Sequence, residues 1–214
     1  MRKLAIFDLD GTLIDSLPDI VENINVMLKK FGHEQRTYDE IRRFIGNGAR
    51  KLVEESIGES LNSDDFEKRL EYYNKIYTES GSPNTRLYDG IEQTLLELKK
   101  RGYLLAVLTN KPQSTTDTVI KNYFSFIEFD RVVGQRNGVK CKPDKTATLN
   151  ILAELDVSIN DCVFIGDGET DFLTAKNCKI PCISVLWGYR DLVDLKSVGA
   201  NLFINCPKQL LDLL

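Results

Sequence analysis

Short apolar runs alternate with amphipathic stretches along most of this chain, and that alternation limits the fold more than any other feature. Residues 3–8 are apolar up to Asp8 and then meet a polar turn at Asp10-Gly11-Thr12, so they read as a buried strand. Similar runs recur at 104–108, 131–133, 162–165 and 181–185, with a weaker one at 201–204. Helical spacing fills the gaps. Ile91, Leu95 and Leu98 share one face of a predicted helix over 91–101, with Gly102 as its stop. Further helices are predicted over 115–123, 146–155 and 170–177. Strands alternating with helices imply an α/β fold, a doubly wound parallel sheet covered by helices on both faces. Ligands of such a sheet bind beyond the C-terminal ends of its strands.

One long stretch interrupts the pattern. No strand is predicted from Ser16 to about Ser82. A helix starts near Ser16-Leu17-Pro18-Asp19; Ile20, Ile24, Met27, Leu28 and Phe31 follow at helical spacing, and Gly32 ends it. Residues 38–44, 49–57 and 64–78 also look helical, and Gly81-Ser82-Pro83-Asn84 is loop chemistry. The expected division is a core made of 1–14 and 83–214, with 15–82 inserted as an all-helical cap. An insertion leaving the ligand end of the first strand is placed to act as a lid.

Composition removes several functions. Among 214 residues, 28 basic and 32 acidic side chains give a net charge of −4, which lacks the basic footprint of a nucleic-acid binder. His33 is the single histidine, which leaves little room for a Ser-His-Asp site. No Gly-Lys pair exists, so there is no Walker A loop. Cys141, Cys162, Cys178, Cys182 and Cys206 form no C-x-x-C pair and suit reduced thiols in a cytoplasmic protein. None of them has an Arg six positions on, as a thiolate phosphatase loop would require. The four apolar residues after Met1-Arg2-Lys3 fall short of the roughly 7–15 of a signal peptide. No apolar run approaches the ~18 residues of a membrane span. The expected protein is therefore cytoplasmic, works on a small molecule as a monomer or homodimer, and has no nucleic-acid or membrane partner.

Four polar clusters follow four of the predicted strands. In Asp8-Leu9-Asp10-Gly11-Thr12-Leu13, two carboxylates at i and i+2 leave a strand on the same side. Their repulsion is relieved if a divalent cation sits between them, or if one keeps a proton and serves as an acid; a plain polar turn is the other reading. Thr109-Asn110-Lys111-Pro112 offers a hydroxyl and backbone N–H groups for phosphate, or simply a helix N-cap. In Lys142-Pro143-Asp144-Lys145 the proline fits a helix start, and Lys142 is either a counter-charge for phosphate or a solvated lysine. Gly166-Asp167-Gly168-Glu169-Thr170-Asp171 crowds carboxylates at a strand end, as a hard cation requires and as a helix N-terminus also tolerates.

Taken together, in this order and at these places, the four clusters resemble the motifs of the haloacid dehalogenase-like (HAD) superfamily of aspartate-nucleophile phosphatases. Finer details look like its phosphoglycolate phosphatase branch: Thr109-Asn110-Lys111-Pro112, Phe44-Ile45-Gly46-Asn47-Gly48-Ala49-Arg50 in the cap, and Trp187-Gly188-Tyr189. Asp144, where a more apolar residue is usual, and Gly168-Glu169 in the fourth motif depart from the pattern. The resemblance implies a Rossmann-like core and an Mg²⁺-dependent phosphomonoester hydrolase working through an aspartyl-phosphate. It makes Asp8 the nucleophile and Asp10 the acid and base, with Thr109, the Asn110 N–H and Lys142 on the phosphate. Mg²⁺ would be held by Asp8, Asp167 and the main-chain oxygen of Asp10, with Asp171 as a ligand or as an acceptor behind the ligands. Gly46, Asn47 and Gly48 would let a cap loop approach the substrate, and Arg50 would meet a substrate carboxylate, as in 2-phosphoglycolate. A phosphosugar mutase using the same aspartate pair is the alternative, distinguished by isomer formation in place of phosphate release. A receiver-like phospho-accepting protein would instead show a stable acyl-phosphate without turnover.

Overall fold

The protein is described by a computed structural model over residues 2–214. In chain order the elements are β1 (Lys3–Phe7), β2 (Ile14–Asp15), α1 (Leu17–Lys30), α2 (Tyr38–Phe44), α3 (Ala49–Ile57), α4 (Ser63–Ser80) and β3 (Arg86–Leu87). There follow α5 (Ile91–Lys100), β4 (Tyr103–Pro112), α6 (Gln113–Tyr123), β5 (Arg131–Gln135), α7 (Thr146–Glu154), β6 (Cys162–Gly166) and α8 (Glu169–Cys178). The chain closes with β7 (Cys182–Val185), α9 (Leu192–Ser197), β8 (Phe203–Ile204) and α10 (Leu210–Leu213).

The main sheet has six strands in the order β5-β4-β1-β6-β7-β8, and every pair in it is parallel. β1 lies in the middle because its side chains are apolar on both faces. Ala5 and Phe7 enter one hydrophobic cluster, with Leu95 and Leu98 of α5. Leu4 and Ile6 enter another, with Ile151 of α7 and Ala175 of α8. This is the period-two pattern of a strand buried on both sides. The neighbours of β1 come from distant parts of the chain, β4 on one side and β6 on the other, so the strand order switches direction there. Their C-terminal ends therefore open onto one crevice, where ligands of such sheets bind.

α1 to α4 form a third hydrophobic cluster of their own, around Ile24, Met27, Leu28, Ile41 and Val53, with Tyr189 of the core segment packed into it. Burying each such aliphatic side chain contributes roughly 1.5–3 kcal/mol. α2 begins at a capping box, with Thr37 and Glu40 satisfying each other's backbone N–H groups. The chain enters and leaves this helical unit through a small antiparallel ribbon in which Ile14 pairs with Leu87 and Asp15 with Arg86.

Two local readings are corrected. The run at 104–108 continues as strand to Pro112, so Thr109 and Asn110 do not cap a helix; α6 starts at Gln113 without a side-chain cap. Backbone pairing with β5 carries the polar residues along, with a register shift between Leu108 and Pro112. Pro143 does not open a helix either: α7 begins at Thr146, whose N–H is accepted by Asp144 at 2.8 Å. The β2–β3 ribbon was invisible to pattern reading because two-residue strands carry no periodicity. No helix among the described residues is long and apolar enough to cross a membrane.

Candidate active site

Asp8 is the first residue beyond β1, Asp167 the first beyond β6, and Asp171 lies in the first turn of α8. The topology brings the three together: one oxygen of each lies within 4.8 Å of the others, and all three residues are buried. Lys142 reaches into the cluster from the loop before α7, its Nζ 2.7 Å from Asp8 Oδ1 and 2.7 Å from Asp171 Oδ1. Only the Asp171 contact has hydrogen-bond geometry. Asp8 Oδ1 is buried and has no donor directed at it, so Lys142 acts on it as a charge alone.

Three buried carboxylates against one ammonium leave excess negative charge. Burial, followed by repulsion from Asp171, pushes the Asp8 carboxyl up to about 8 despite Lys142. Burial and Asp171 push Asp167 up to about 7. Burial alone would lower the Lys142 ammonium, but Asp171 and Asp8 outweigh it and hold it above the ordinary lysine value. Hard oxygen donors, an undonated carboxylate oxygen and uncompensated charge fit a divalent cation such as Mg²⁺.

The remaining carboxylate oxygens are fixed by hydrogen bonds. Asp167 accepts from Thr12 Oγ1 at 3.0 Å and from the Tyr189 N–H at 2.8 Å, and Asp171 accepts from the Gly168 N–H at 2.9 Å. The chain must also pass very close to these groups. A methyl at Gly11 or Gly188 would collide with the Asp167 carboxylate, and one at Gly166 with that of Asp171. Gly11 in addition has φ +85°, a conformation that few other residues adopt.

Asp10 faces away from this cluster. Its Oδ1 accepts from Ser16 Oγ at 2.6 Å, and Lys111 Nζ donates to its two oxygens at 3.0 and 3.1 Å. Lys111 also donates to Tyr77 Oη of α4 at 2.9 Å. Ser16 is set in turn by Tyr189, whose hydroxyl accepts its N–H at 2.8 Å. Any contribution of Asp10 to a metal would therefore come from its main chain, since its carboxylate is committed elsewhere.

Thr109 is buried and lines the same cavity as Asp8, and its hydroxyl accepts the Lys111 N–H at 3.2 Å. The Asn110 side chain donates to Gly46 O at 2.8 Å and to Lys142 O at 3.2 Å, and accepts from the Lys142 N–H at 2.8 Å. It thus ties the α2–α3 loop and Lys142 to β4. Gly48, at φ +86°, passes so close that a methyl there would lie 3.3 Å from Asn110 O. Asp8, Asp10, Thr109, Asn110, Lys142, Gly46 and Gly48 line one cavity of about 60 Å³ between the sheet edge and the helical unit. Asn47 is exposed and stands outside that cavity, on the wall of a wider polar cleft of about 700 Å³ that Asp8, Asp167 and Asp171 also line.

Arg50 is the residue that the structure does not bring in. Its guanidinium donates to both carboxylate oxygens of Glu67 at 2.7 and 3.0 Å, stacks over Phe66, and faces solvent with its side chain 61% exposed. Arg50 lies in the first turn of α3, and its side chain leaves from the outer face, where Glu67 of α4 holds it.

Sequence reading missed Lys111, Ser16, Tyr77, Thr12 and the main-chain role of Tyr189. Lys111 stands in the polar run after 104–108, so nothing in the pattern marks it as a buried strand residue. For the others the partners lie far along the chain and nothing local marks them: Thr12 and Asp167 are 155 positions apart, Ser16 and Tyr189 173, Tyr77 and Lys111 34, and Tyr189 and Asp167 22.

Comparison with known proteins follows from this geometry. The sequence profile of the haloacid dehalogenase-like hydrolase family matches residues 5–185. The chain is 31% identical over 216 aligned positions to phosphoglycolate phosphatase 1 of Pseudomonas aeruginosa, covering 99% of this chain and 79% of that protein. It is 30% identical to the phosphoglycolate phosphatase of Psychrobacter arcticus, covering 92% and 89% of the two chains. A crystal structure from Haemophilus somnus, of a predicted phosphoglycolate phosphatase, superposes with a TM-score of 0.92 at 26% identity, over 99% of this chain and 97% of that one. A haloacid dehalogenase-like family hydrolase of Streptococcus pneumoniae superposes with a TM-score of 0.87 at 25% identity, over 99% and 98%. With the parallel sheet, the inserted helices and the carboxylate cluster in place, the chain belongs to the haloacid dehalogenase-like hydrolases.

Proposed function

We propose that the chain is a metal-dependent phosphomonoester hydrolase that carries the phosphoryl group on Asp8, and that its substrate is a small acidic phosphoester such as 2-phosphoglycolate. The observation that carries this reading is the meeting of Asp8 with Asp167, Asp171 and Lys142 at one sheet edge, with Asp10 held separately at its side. The names of the relatives support the phosphatase activity and its substrate class.

In this reading Asp8 attacks phosphorus with an ionised oxygen. A phosphate anion brought to within 4 Å of that oxygen costs about 4 kcal/mol per unit charge pair at an effective dielectric of 20. Lys142 offsets part of this. Mg²⁺, held by Asp8, Asp167, the main-chain oxygen of Asp10 and Asp171, would supply the remaining positive charge. Thr109 and the Asn110 N–H hold phosphate oxygens for in-line attack. Asp10 protonates the departing alkoxide, a step that contributes about 10²–10⁴-fold, and then takes a proton from the water that hydrolyses the aspartyl-phosphate. Ser16 and Lys111 keep its carboxylate in place for both steps.

Residues 15–82 act as the lid in this reading, excluding water and choosing the leaving group. Ile20, Ile45, Leu52 and Tyr73 of this unit line the cavity next to Asp8, and the space between them admits a small leaving group more readily than a hexose. The five free cysteines suit a protein of the cytoplasm.

The test is release of inorganic phosphate from a panel of phosphoesters, with Mg²⁺ and with EDTA. Wild-type chain is expected to turn over with Mg²⁺ and to stop in EDTA, and Asp8→Asn to lose at least 10³-fold in kcat while keeping its circular dichroism spectrum. A folded Asp8→Asn protein with ordinary turnover overturns the nucleophile assignment.

A further inference from the structure

Resting on the phosphatase reading, we propose that Lys111 determines substrate choice by receiving the carboxylate of the leaving group. Two ammonium groups reach the cavity, those of Lys142 and Lys111. Lys142 lies between Asp8 and Asp171, at the end where the phosphoryl group is transferred. Lys111 lies on the other side of Asp10, bonded to its carboxylate and to Tyr77 Oη, with its Nζ 4.5 Å from the centre of the Tyr77 ring.

This position matches the chemistry of the substrate. Asp10 has to reach the ester oxygen that leaves with the alcohol. In an ester of a 2-hydroxy acid the carboxylate is joined to the carbon bearing that oxygen, so it falls just past Asp10, toward Tyr77. Everything else on that wall of the cavity is neutral: Ile20, Ile45, Leu52 and Tyr73 are apolar or aromatic, and Asn74 is an amide. The arginines nearby are committed elsewhere. Arg50 is bonded to Glu67 on the outer surface. Arg190 is bonded to Glu169 and to the carbonyls of Arg42, Arg43 and Ile45. Arg42 is bonded to the Tyr189 carbonyl and to Asp191. An anionic leaving group therefore meets one cation, and Tyr77 Oη beside it offers a neutral hydrogen bond.

The lysine is also prepared for this exchange. Two of its contacts go to Asp10 and one to Tyr77 Oη, so a substrate carboxylate takes over one of the Asp10 pair while the other still holds that side chain, and no new charge has to be desolvated on the protein side. Removing a charge-assisted hydrogen bond of this kind costs about 10–100-fold in the affected rate constant.

The experiment compares 2-phosphoglycolate with 2-hydroxyethyl phosphate, an ester of the same length whose leaving alcohol is uncharged, by kcat/KM at saturating Mg²⁺. Wild type is expected to favour 2-phosphoglycolate, and Lys111→Met to lose about 10–100-fold of that preference. Lys111→Arg is expected to restore most of the preference, because it keeps the charge. If Lys111→Met lowers both esters equally, the lysine only positions Asp10 and the inference is overturned. A wild-type chain that hydrolyses both esters equally also overturns it, whether or not the variants fold, and leaves the phosphatase reading standing. A wild-type chain that hydrolyses neither overturns both.

Discussion

Asp8 and Asp10 are two residues apart and share a strand end, yet they sit in opposite chemical company. Asp8 has carboxylate neighbours and one poorly angled lysine, whereas Asp10 has a lysine, a serine and no carboxylate neighbour in hydrogen-bond contact. The bare D-x-D spacing predicted that the two carboxylates leave together, but it carried no information on this division, which is made by Lys111 and Ser16. The division can be tested at the leaving group. Asp10→Asn is expected to cut turnover of an alkyl phosphate by about 10²–10⁴-fold and that of p-nitrophenyl phosphate far less, since a phenolate of low basicity departs without a proton. Equal losses on both esters would show that Asp10 does not act as the acid.

Among the elements, those with the plainest patterns were the most legible. β1 is apolar from Leu4 to Phe7 and β6 throughout, and the helices expected over 38–44 and 49–57 form over those residues. The site was legible where each motif residue follows directly on such a strand, as Asp8 and Asp167 do. It was illegible where a polar run sits inside a strand, as in β4, and where contacts join remote segments. The clasp between α2 and the loop after β7 is such a case. Arg190 donates to the carbonyls of Arg42 and Arg43 at 2.9 and 3.2 Å, and its Nε donates to Glu169 at 2.7 Å. Glu169, next to the motif departure at Gly168, thus holds that arginine. Arg190→Met leaves several carbonyls without a donor and is expected to destabilise the chain by about 1.5–3 kcal/mol. A thermal melt checks this, and protection of the 31–48 segment from protease should fall in parallel. An unchanged melting temperature would mean that water replaces the arginine at no cost.

At the level of the whole molecule, the carboxylate cluster links stability, protons and metal. Asp8 and Asp167 titrate near 8 and 7 in the folded metal-free chain, against an ordinary value of 3.8. The unfolded chain gives up these protons near pH 4, and the folded chain keeps them to higher pH. Their contribution to stability is therefore lost progressively as pH rises from about 4 to about 8, then stays level. In EDTA, the melting temperature is expected to be lower at pH 8 than at pH 6. Mg²⁺ should narrow that gap, because it stabilises the ionised cluster, and its binding should release protons and tighten as pH rises. Calorimetric titrations in two buffers of different ionisation enthalpy measure the proton count directly; no release at pH 6 would contradict the raised carboxyls.

The β2–β3 ribbon has a wider consequence. The polypeptide passes between sheet and insertion only through two strands lying side by side, Ile14–Asp15 and Arg86–Leu87. A graft of the intervening segment from a relative thus needs two splice points that are already neighbours in space, and it leaves Asp8, Asp10, Asp167 and Asp171 on the recipient. Such a graft exchanges the insertion's wall of the cavity, Ile20, Ile45, Leu52, Tyr73 and Tyr77, as a cassette, while Lys111 and Lys142 stay with the recipient.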